Sequence, residues 1–243
     1  MSMKEFNALD GALLIDKPAG PTSHDIVDTV RQCYRIKKVG HCGTLDPAAT
    51  GLLTLLLGKA TKLSEKMMSD DKVYVGSIKL GETTNTFDAE GEIDETRSVP
   101  NLTLEVLQQK ANDFLGDQLQ LPPMVSAIKI DGTPLYKLAR KGIEVERRKR
   151  FIHLYKFQVS EYEPPYAWFK IACTKGTYVR TLAHDLGQTL GCGAYLAGLR
   201  RTVSGQFKVS TATRLEELTT LSADDLANRV VPMLHLTAAA TES

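Results

Sequence analysis

Little in this chain of 243 residues points to a metal, a membrane or a disulfide framework. Its four cysteines, Cys33, Cys42, Cys173 and Cys192, form no CxxC pair and have no zinc-ligand spacing with the five histidines. No metal is therefore expected, and free thiols fit a reducing cytoplasm. No apolar run approaches the roughly 18 residues that span a bilayer, and the opening MSMKEFNALDG lacks the apolar core of a signal peptide. Internal repeats, low-complexity blocks and linker-like composition breaks are missing too. Charge is balanced, 30 Lys and Arg against 29 Asp and Glu, so net charge announces no polyanionic partner and any such face must come from local clustering. A content of 42% hydrophobic and 24% charged residues leaves a globular chain with a sizeable core, one large domain or one plus an appendage.

The pattern along the chain alternates irregularly between strand and helix. A strand at residues 12–15 runs into Lys17-Pro18-Ala19-Gly20-Pro21, which forbids regular structure, and Ser23 then stands as N-cap of a helix with Ile26, Val27, Val30, Cys33 and Tyr34 on one face. Residues 38–51 read as a Gly-rich loop anchored by the apolar run 52–57. Strands are expected at 74–80, 125–130, 150–162 and 166–174, and helices at 104–115, 134–140 and 179–190, with loops at 81–92 and a turn at Asp131-Gly132. The residues from 207 on read as a short acidic tail ending in a frayed TAAATES. Hairpin-joined strands with interspersed helices predict an α+β fold with a mixed, largely antiparallel sheet.

Three clusters could carry chemistry. Between Tyr136 and Arg150 stand seven cations, Lys137, Arg140, Lys141, Arg147, Arg148, Lys149 and Arg150, against Glu144 and Glu146, an excess of five. Such density can suit phosphates, with Arg200-Arg201 and Lys37-Lys38 as extensions, although a solvated surface is the default reading of this feature alone. The 38–51 loop holds His41, Thr44, Asp46 and Thr50 among glycines that let backbone approach a ligand, although Asp-Pro is also an ordinary turn. Residues 173–181, CTKGTYVRT, end a strand and open a helix, so their amides and basic groups could face an anion; Tyr178 as core and Arg180 as surface is the plain alternative. No Ser-His-Asp order, P-loop or dinucleotide fingerprint is present.

The stretch Gly40-His41-Cys42-Gly43-Thr44-Leu45-Asp46-Pro47-Ala48-Ala49-Thr50-Gly51 resembles the G-H-x-G-x-L-D-P-x-A-T-G signature of the TruB family of pseudouridine synthases. Further blocks match in order: Lys17-Pro18 with Gly20-Pro21-Thr22-Ser23, Lys72-Val73-Tyr74, Thr84, Thr86, Asp88 and Gly91, Pro122-Pro123 with Ser126-Ala127-Lys129, Lys175 through Thr181, and Leu199-Arg200-Arg201. The resemblance covers about residues 11–206, giving a catalytic domain at 1–206 and a C-terminal extension at 207–243 too short for a further PUA-type RNA-binding module.

The resemblance implies an intramolecular transferase that converts uridine to pseudouridine at position 55 in the T loop of tRNA, without cofactor. It assigns the catalytic carboxylate to Asp46, acting as nucleophile at ribose C1′ or base at C2′. By the same likeness Tyr74 stacks on the target base, Arg180 keeps Asp46 ionised, Tyr178 and Leu199 line the pocket, and His41 fills the place vacated by the flipped nucleotide. Lys17, Lys137, Arg140, Arg147, Arg148, Arg150 and Lys175 are expected on the RNA backbone. The expected partner is the tRNA T arm, with no membrane and no obligate protein partner, for a cytoplasmic monomer. Two other readings stay open. A non-catalytic RNA-binding scaffold would be marked by loss of the aspartate, and a guide-directed synthase by dependence on partners.

Overall fold

Leu52, Leu53, Leu55, Leu56 and Leu57 have no side-chain face left in water, and the strand they form is the centre about which the first part of the chain is built. The computed structural model describes residues 9–130 and 132–238. The turn expected at Asp131 and the closing part of TAAATES from residue 239 lie outside the described residues.

The chain divides into two units, residues 1–70 with 200–243, and residues 71–199. The first opens with β1 (Gly11–Lys17), α1 (Ser23–Tyr34), β2 (Val39–Cys42) and β3 (Thr50–Leu57), then a 3-10 turn at Gly58–Leu63 and α2 (Ser64–Met68). β1 and β2 both pair antiparallel with β3, β1 in a register that sets Lys17 opposite Gly51. A strand with neighbours on both edges and apolar cover on both faces reads as an unbroken hydrophobic run. Helix α1 is capped by Thr22, not Ser23: Thr22 Oγ1 accepts the Asp25 amide at 3.1 Å while the Asp25 carboxylate accepts the Thr22 amide at 2.8 Å. The capping box needs an acid three residues on, and only Thr22 has one there. Ser23 is thereby the first helical residue, its hydroxyl released for other work.

The second unit carries β4 (Lys72–Leu80), the hairpin β5 (Glu82–Thr84) and β6 (Ile93–Thr96), α3 (Leu104–Asn112), β7 (Gly116–Gln120), the two-residue pair β8 (Lys129–Ile130) and β9 (Thr133–Pro134), α4 (Leu135–Ala139), β10 (Arg150–Glu163), β11 (Tyr166–Cys173) and α5 (Val179–Thr189). Its sheet runs β4-β11-β10-β7, antiparallel throughout. Phe157 meets Phe169 and Phe114 edge-on at about 6 Å in its core. The strand expected at 125–130 survives only as β8, because the Ser126 amide turns back onto the Met124 carbonyl after Pro122-Pro123 and removes that stretch from any ladder. The loop expected at 81–92 likewise contains β5.

β12 (Ala194–Ser204) belongs to the second unit as far as Leu199 and to the first from Arg200, where Arg200 and Arg201 pair parallel with Thr50 and Gly51. A Cβ on Gly51, whose φ is +98°, would lie 2.3 Å from the Arg201 carbonyl oxygen, so only glycine fits this approach. Far from forming a tail, the remaining residues build β13 (Phe207–Lys208), β14 (Thr213–Arg214), α6 (Leu215–Leu218), α7 (Ala223–Arg229), β15 (Val230–Pro232) and α8 (Met233–Ala238). β14 and β15 both pair with β1, and Phe207 and Leu236 join Ala12, Leu14, Leu52 and Leu56 in the core. With helices beside antiparallel pairs and two parallel ones, the fold is α+β with a mixed, mostly antiparallel sheet, as the sequence predicts.

Candidate active site

β2 and β3 are paired, but residues 43–49 between them belong to no ladder, so their backbone groups need other partners. Three buried side chains from three elements supply them. Ser23 (2% exposed) donates its hydroxyl to the Leu45 carbonyl at 3.0 Å and accepts the Leu45 amide at 2.9 Å. Lys17 (0% exposed) donates Nζ to the carbonyls of Pro47 at 3.0 Å, Ala49 at 2.8 Å and Pro18 at 2.9 Å. Arg201 (1% exposed) donates Nε to the Leu52 carbonyl at 2.7 Å and Nη2 to the Gly43 carbonyl at 3.1 Å. Backbone bonds from Gly20 N to Pro47 O and from Ala49 N to Asp46 O, both 3.0 Å, close the set.

The residues on both sides of Asp46 are thus fixed, with the Leu45 side chain buried as an anchor, while Asp46 itself is half-buried. A carboxylate displayed from immobilised backbone is what a positioned nucleophile or base requires. Lys17, expected on the RNA backbone, has no exposed surface, and its ammonium is engaged by these carbonyls.

His41, on β2, is half-buried, and its Nδ1 is buried with no hydrogen-bond partner. Desolvation first, then the electrostatic influence of Arg201 and His24, lowers its pKa from the usual 6.5, which keeps the ring neutral. A neutral imidazole can enter a stack of bases without bringing a hydrated charge.

In the second unit Tyr74 is buried on β4, Tyr178 is the half-buried residue that caps α5, and Leu199 is half-buried on β12. Arg180, in the first turn of α5 and 4% exposed, donates Nη1 to Asp88 Oδ2 at 3.1 Å and Nη2 to the Val125 carbonyl at 2.7 Å, with its guanidinium 5.9 Å from the Tyr178 ring. Asp88 is itself held, by Thr86 Oγ1 at 2.6 Å and the Glu90 amide at 3.1 Å. The Gln120 side-chain amide grips both backbone groups of Tyr178, at 2.8 and 3.1 Å. Tyr178 and Arg180 are therefore brought together on a rigid mount. Ser23, Gln120, Arg201 and the Asp88 partnership were not assigned from sequence; for Asp88 the only signal was its place in a matching block.

The basic segment is mostly open. Lys137, Arg148, Arg150 and Lys175 are exposed and enter no ion pair among the described residues, and Arg140 lies 5.6 Å from the Tyr136 ring. Arg147 differs, since it bonds the Pro122 carbonyl at 3.0 Å and Glu144 at 3.2 Å. Among the described residues no three His, Cys, Asp or Glu side chains are grouped as metal ligands.

Comparison with known proteins covers nearly the whole chain. Residues 31–179 match the TruB family pseudouridylate synthase (N terminal domain), and residues 180–236 match the tRNA pseudouridylate synthase B C-terminal domain. The chain is 51% identical over 225 residues to the tRNA pseudouridine synthase B of Opitutus terrae, covering 93% of each, and 45% identical to that of Syntrophotalea carbinolica, covering 89% of this chain and 71% of the relative. Among solved structures it is similar to a chain of a Cbf5-Nop10-Gar1 complex, with a TM-score of 0.74 and 30% identity, and to a chain of an H/ACA RNP bound to a substrate RNA containing 2′-deoxyuridine, with a TM-score of 0.70 and 26% identity. It covers 96% of itself in both and 63% and 62% of those longer chains. With a match over more than half its length and a 51% identical relative covered to 93%, the chain belongs to the TruB family of pseudouridylate synthases.

Proposed function

We propose that this enzyme converts uridine to pseudouridine at position 55 in the T loop of tRNA, with Asp46 as its catalytic carboxylate. The observation that carries the reading is an aspartate inside the family signature, displayed from a loop whose backbone is tied down on both sides. The reaction breaks the bond from ribose C1′ to base N1 and makes one from C1′ to C5; the C5 proton leaves and N1 gains one, so atoms and electrons balance within the nucleotide. A carboxylate suffices, either attacking C1′ or removing the C2′ proton.

A uridine inside a folded loop cannot present C1′ and C5 while stacked, so it is flipped out. His41 fills the vacated stack, which its neutral ring supports. Tyr74 stacks on the target base and assists removal of the C5 proton, Tyr178 and Leu199 line its pocket, and Arg180 is the positive charge that favours an ionised carboxylate. Lys137, Arg140, Arg148, Arg150 and Lys175 hold phosphates of the T arm, their exposure supporting that part. Arg147, committed to Pro122 and Glu144, holds the segment in shape and contributes its charge to the same field.

The enzyme works in the cytoplasm as a monomer without protein partners. Support comes from four unbridged cysteines and from relatives of similar length named as tRNA enzymes, more similar to this chain than the Cbf5 assemblies are. No helix of the described residues is long and apolar enough to cross a membrane. Purified protein incubated with an unmodified tRNA transcript, followed by carbodiimide mapping, should show one new pseudouridine, in the T loop. Asp46→Asn should bind the RNA and form none. Turnover by that variant removes Asp46 from the chemistry, and activity only with added proteins or a guide RNA moves the enzyme to the assisted class.

A further inference from the structure

Between the segment that follows β7 and the irregular return into β10, the second unit forms a half-open cavity of about 310 Å³. That is the small end of the ligand-pocket range of about 300–1,000 Å³. Its floor is apolar, made by Pro122, Ile128, Ile130 and the fully buried Leu135. The Leu135 amide bonds the Ile128 carbonyl at 2.8 Å, and Arg147 bonds the Pro122 carbonyl at 3.0 Å, so both walls are tied. The rim carries Lys129, Arg148 and Arg150, all exposed and in no ion pair among the described residues, against one carboxylate, Glu146.

We infer that this cavity is a second nucleotide subsite, taking one nucleotide of the RNA other than the uridine being isomerised. The two halves of its lining ask for two properties in one ligand. A bare phosphate has no use for an isoleucine floor, and an apolar group has none for three unpaired cations. A nucleotide carries both, a flat base to cover Ile128 and Ile130 and a phosphate to meet Lys129, Arg148 and Arg150. The inference rests on the proposed action on tRNA. It adds that the basic segment reads the shape of the loop by capturing an unstacked base, beyond supplying charge.

The test uses T-arm hairpins in which 2-aminopurine replaces each loop nucleotide in turn, outside the target uridine, bound to the full-length protein. At one position emission should change at least twofold on binding, and Ile130→Glu, which puts a carboxylate on the floor, should abolish that change and raise KM about tenfold more than it lowers kcat. Should Ile130→Glu fail to fold by circular dichroism, Arg148→Ala, a surface change, carries the test, with the emission change at least halved and KM raised severalfold. If the wild type modifies the hairpin but no position responds in a variant-dependent way, the subsite is refuted while the proposed activity stands. Weaker binding without any loss of the emission change refutes it equally, since the segment is then plain charge. A wild type that modifies no tRNA overturns the activity and the subsite together.

Discussion

Replacing Ser23 by alanine removes one hydroxyl and no charge, yet the geometry makes it a demanding substitution. Ser23 Oγ is the partner of both backbone groups of Leu45, at 2.9 and 3.0 Å, and the site is buried, so water cannot take its place. A buried polar group left without a partner costs about 1–3 kcal/mol, and two are affected. Alanine is the better helix former at this first helical position, which offsets a few tenths of a kcal/mol. The net loss is about 1.5–5.5 kcal/mol, and at roughly 2–4 °C per kcal/mol for a chain of this size the melting temperature should fall by about 3–22 °C.

Leu45 adjoins Asp46, so the same change should also loosen the carboxylate. If the productive loop conformer falls to a tenth of its population, the single-turnover rate at saturating RNA drops tenfold, about 1.4 kcal/mol of barrier. Ser23→Cys, which keeps a weak donor and acceptor, should recover part of both losses. The reasoning fails if Ser23→Ala melts within 1 °C of wild type and turns over within twofold of it.

Asp88→Ala takes a carboxylate from 3.1 Å beside a guanidinium that is 4% exposed, and should cost about 3–5 kcal/mol in a denaturation measurement; a loss under 1 kcal/mol would show that the pair is not needed to hold Arg180. His41 titrates below its usual 6.5, so the unfolded chain takes up the proton first: its contribution is complete above pH 6.5 and is lost as pH falls toward the lower folded value. Wild type should therefore lose more melting temperature between pH 7.5 and 5.5 than His41→Gln does, and equal losses would contradict the burial argument. Cys33 is exposed, whereas Cys42, Cys173 and Cys192 are buried and desolvation pushes the Cys173 thiol up to about 11. A native thiol titration at pH 8 should give one fast equivalent and the rest only on unfolding; two fast equivalents would refute it.

The long elements were legible because their periodicity is local. The alternation along residues 150–162 and 166–174 and the one-faced apolar pattern after Ser23 each gave the element the structure shows, whereas the run at 52–57, read only as a buried segment, is part of strand β3. What escaped are pieces of two to seven residues. β14 is two residues long and β15 three, too short for any period, and each is a strand only because β1 offers it an edge. The sequence after residue 207 therefore read as a tail, although Leu218, Leu226 and Leu236 are all buried. At 125–130 the error ran the other way: an apolar run suggested a ladder that the preceding prolines divert.

For the site, the signature pointed to Asp46, but nothing in it revealed how the loop is held. Ser23 read as a helix cap, Lys17 as a phosphate contact and Arg201 as an extension of a basic face, since a cation bonded to carbonyls looks in sequence the same as one bonded to solvent. The physical need is clear once the loop is seen to lie outside the sheet. The carbonyls of Gly43, Leu45, Pro47, Ala49 and Leu52 all take buried donors from Ser23, Lys17 or Arg201. Burying two cations for this carries a desolvation penalty that an apolar core would not incur. It is explicable if the loop's position matters more than the stability lost, as the role proposed for Asp46 requires.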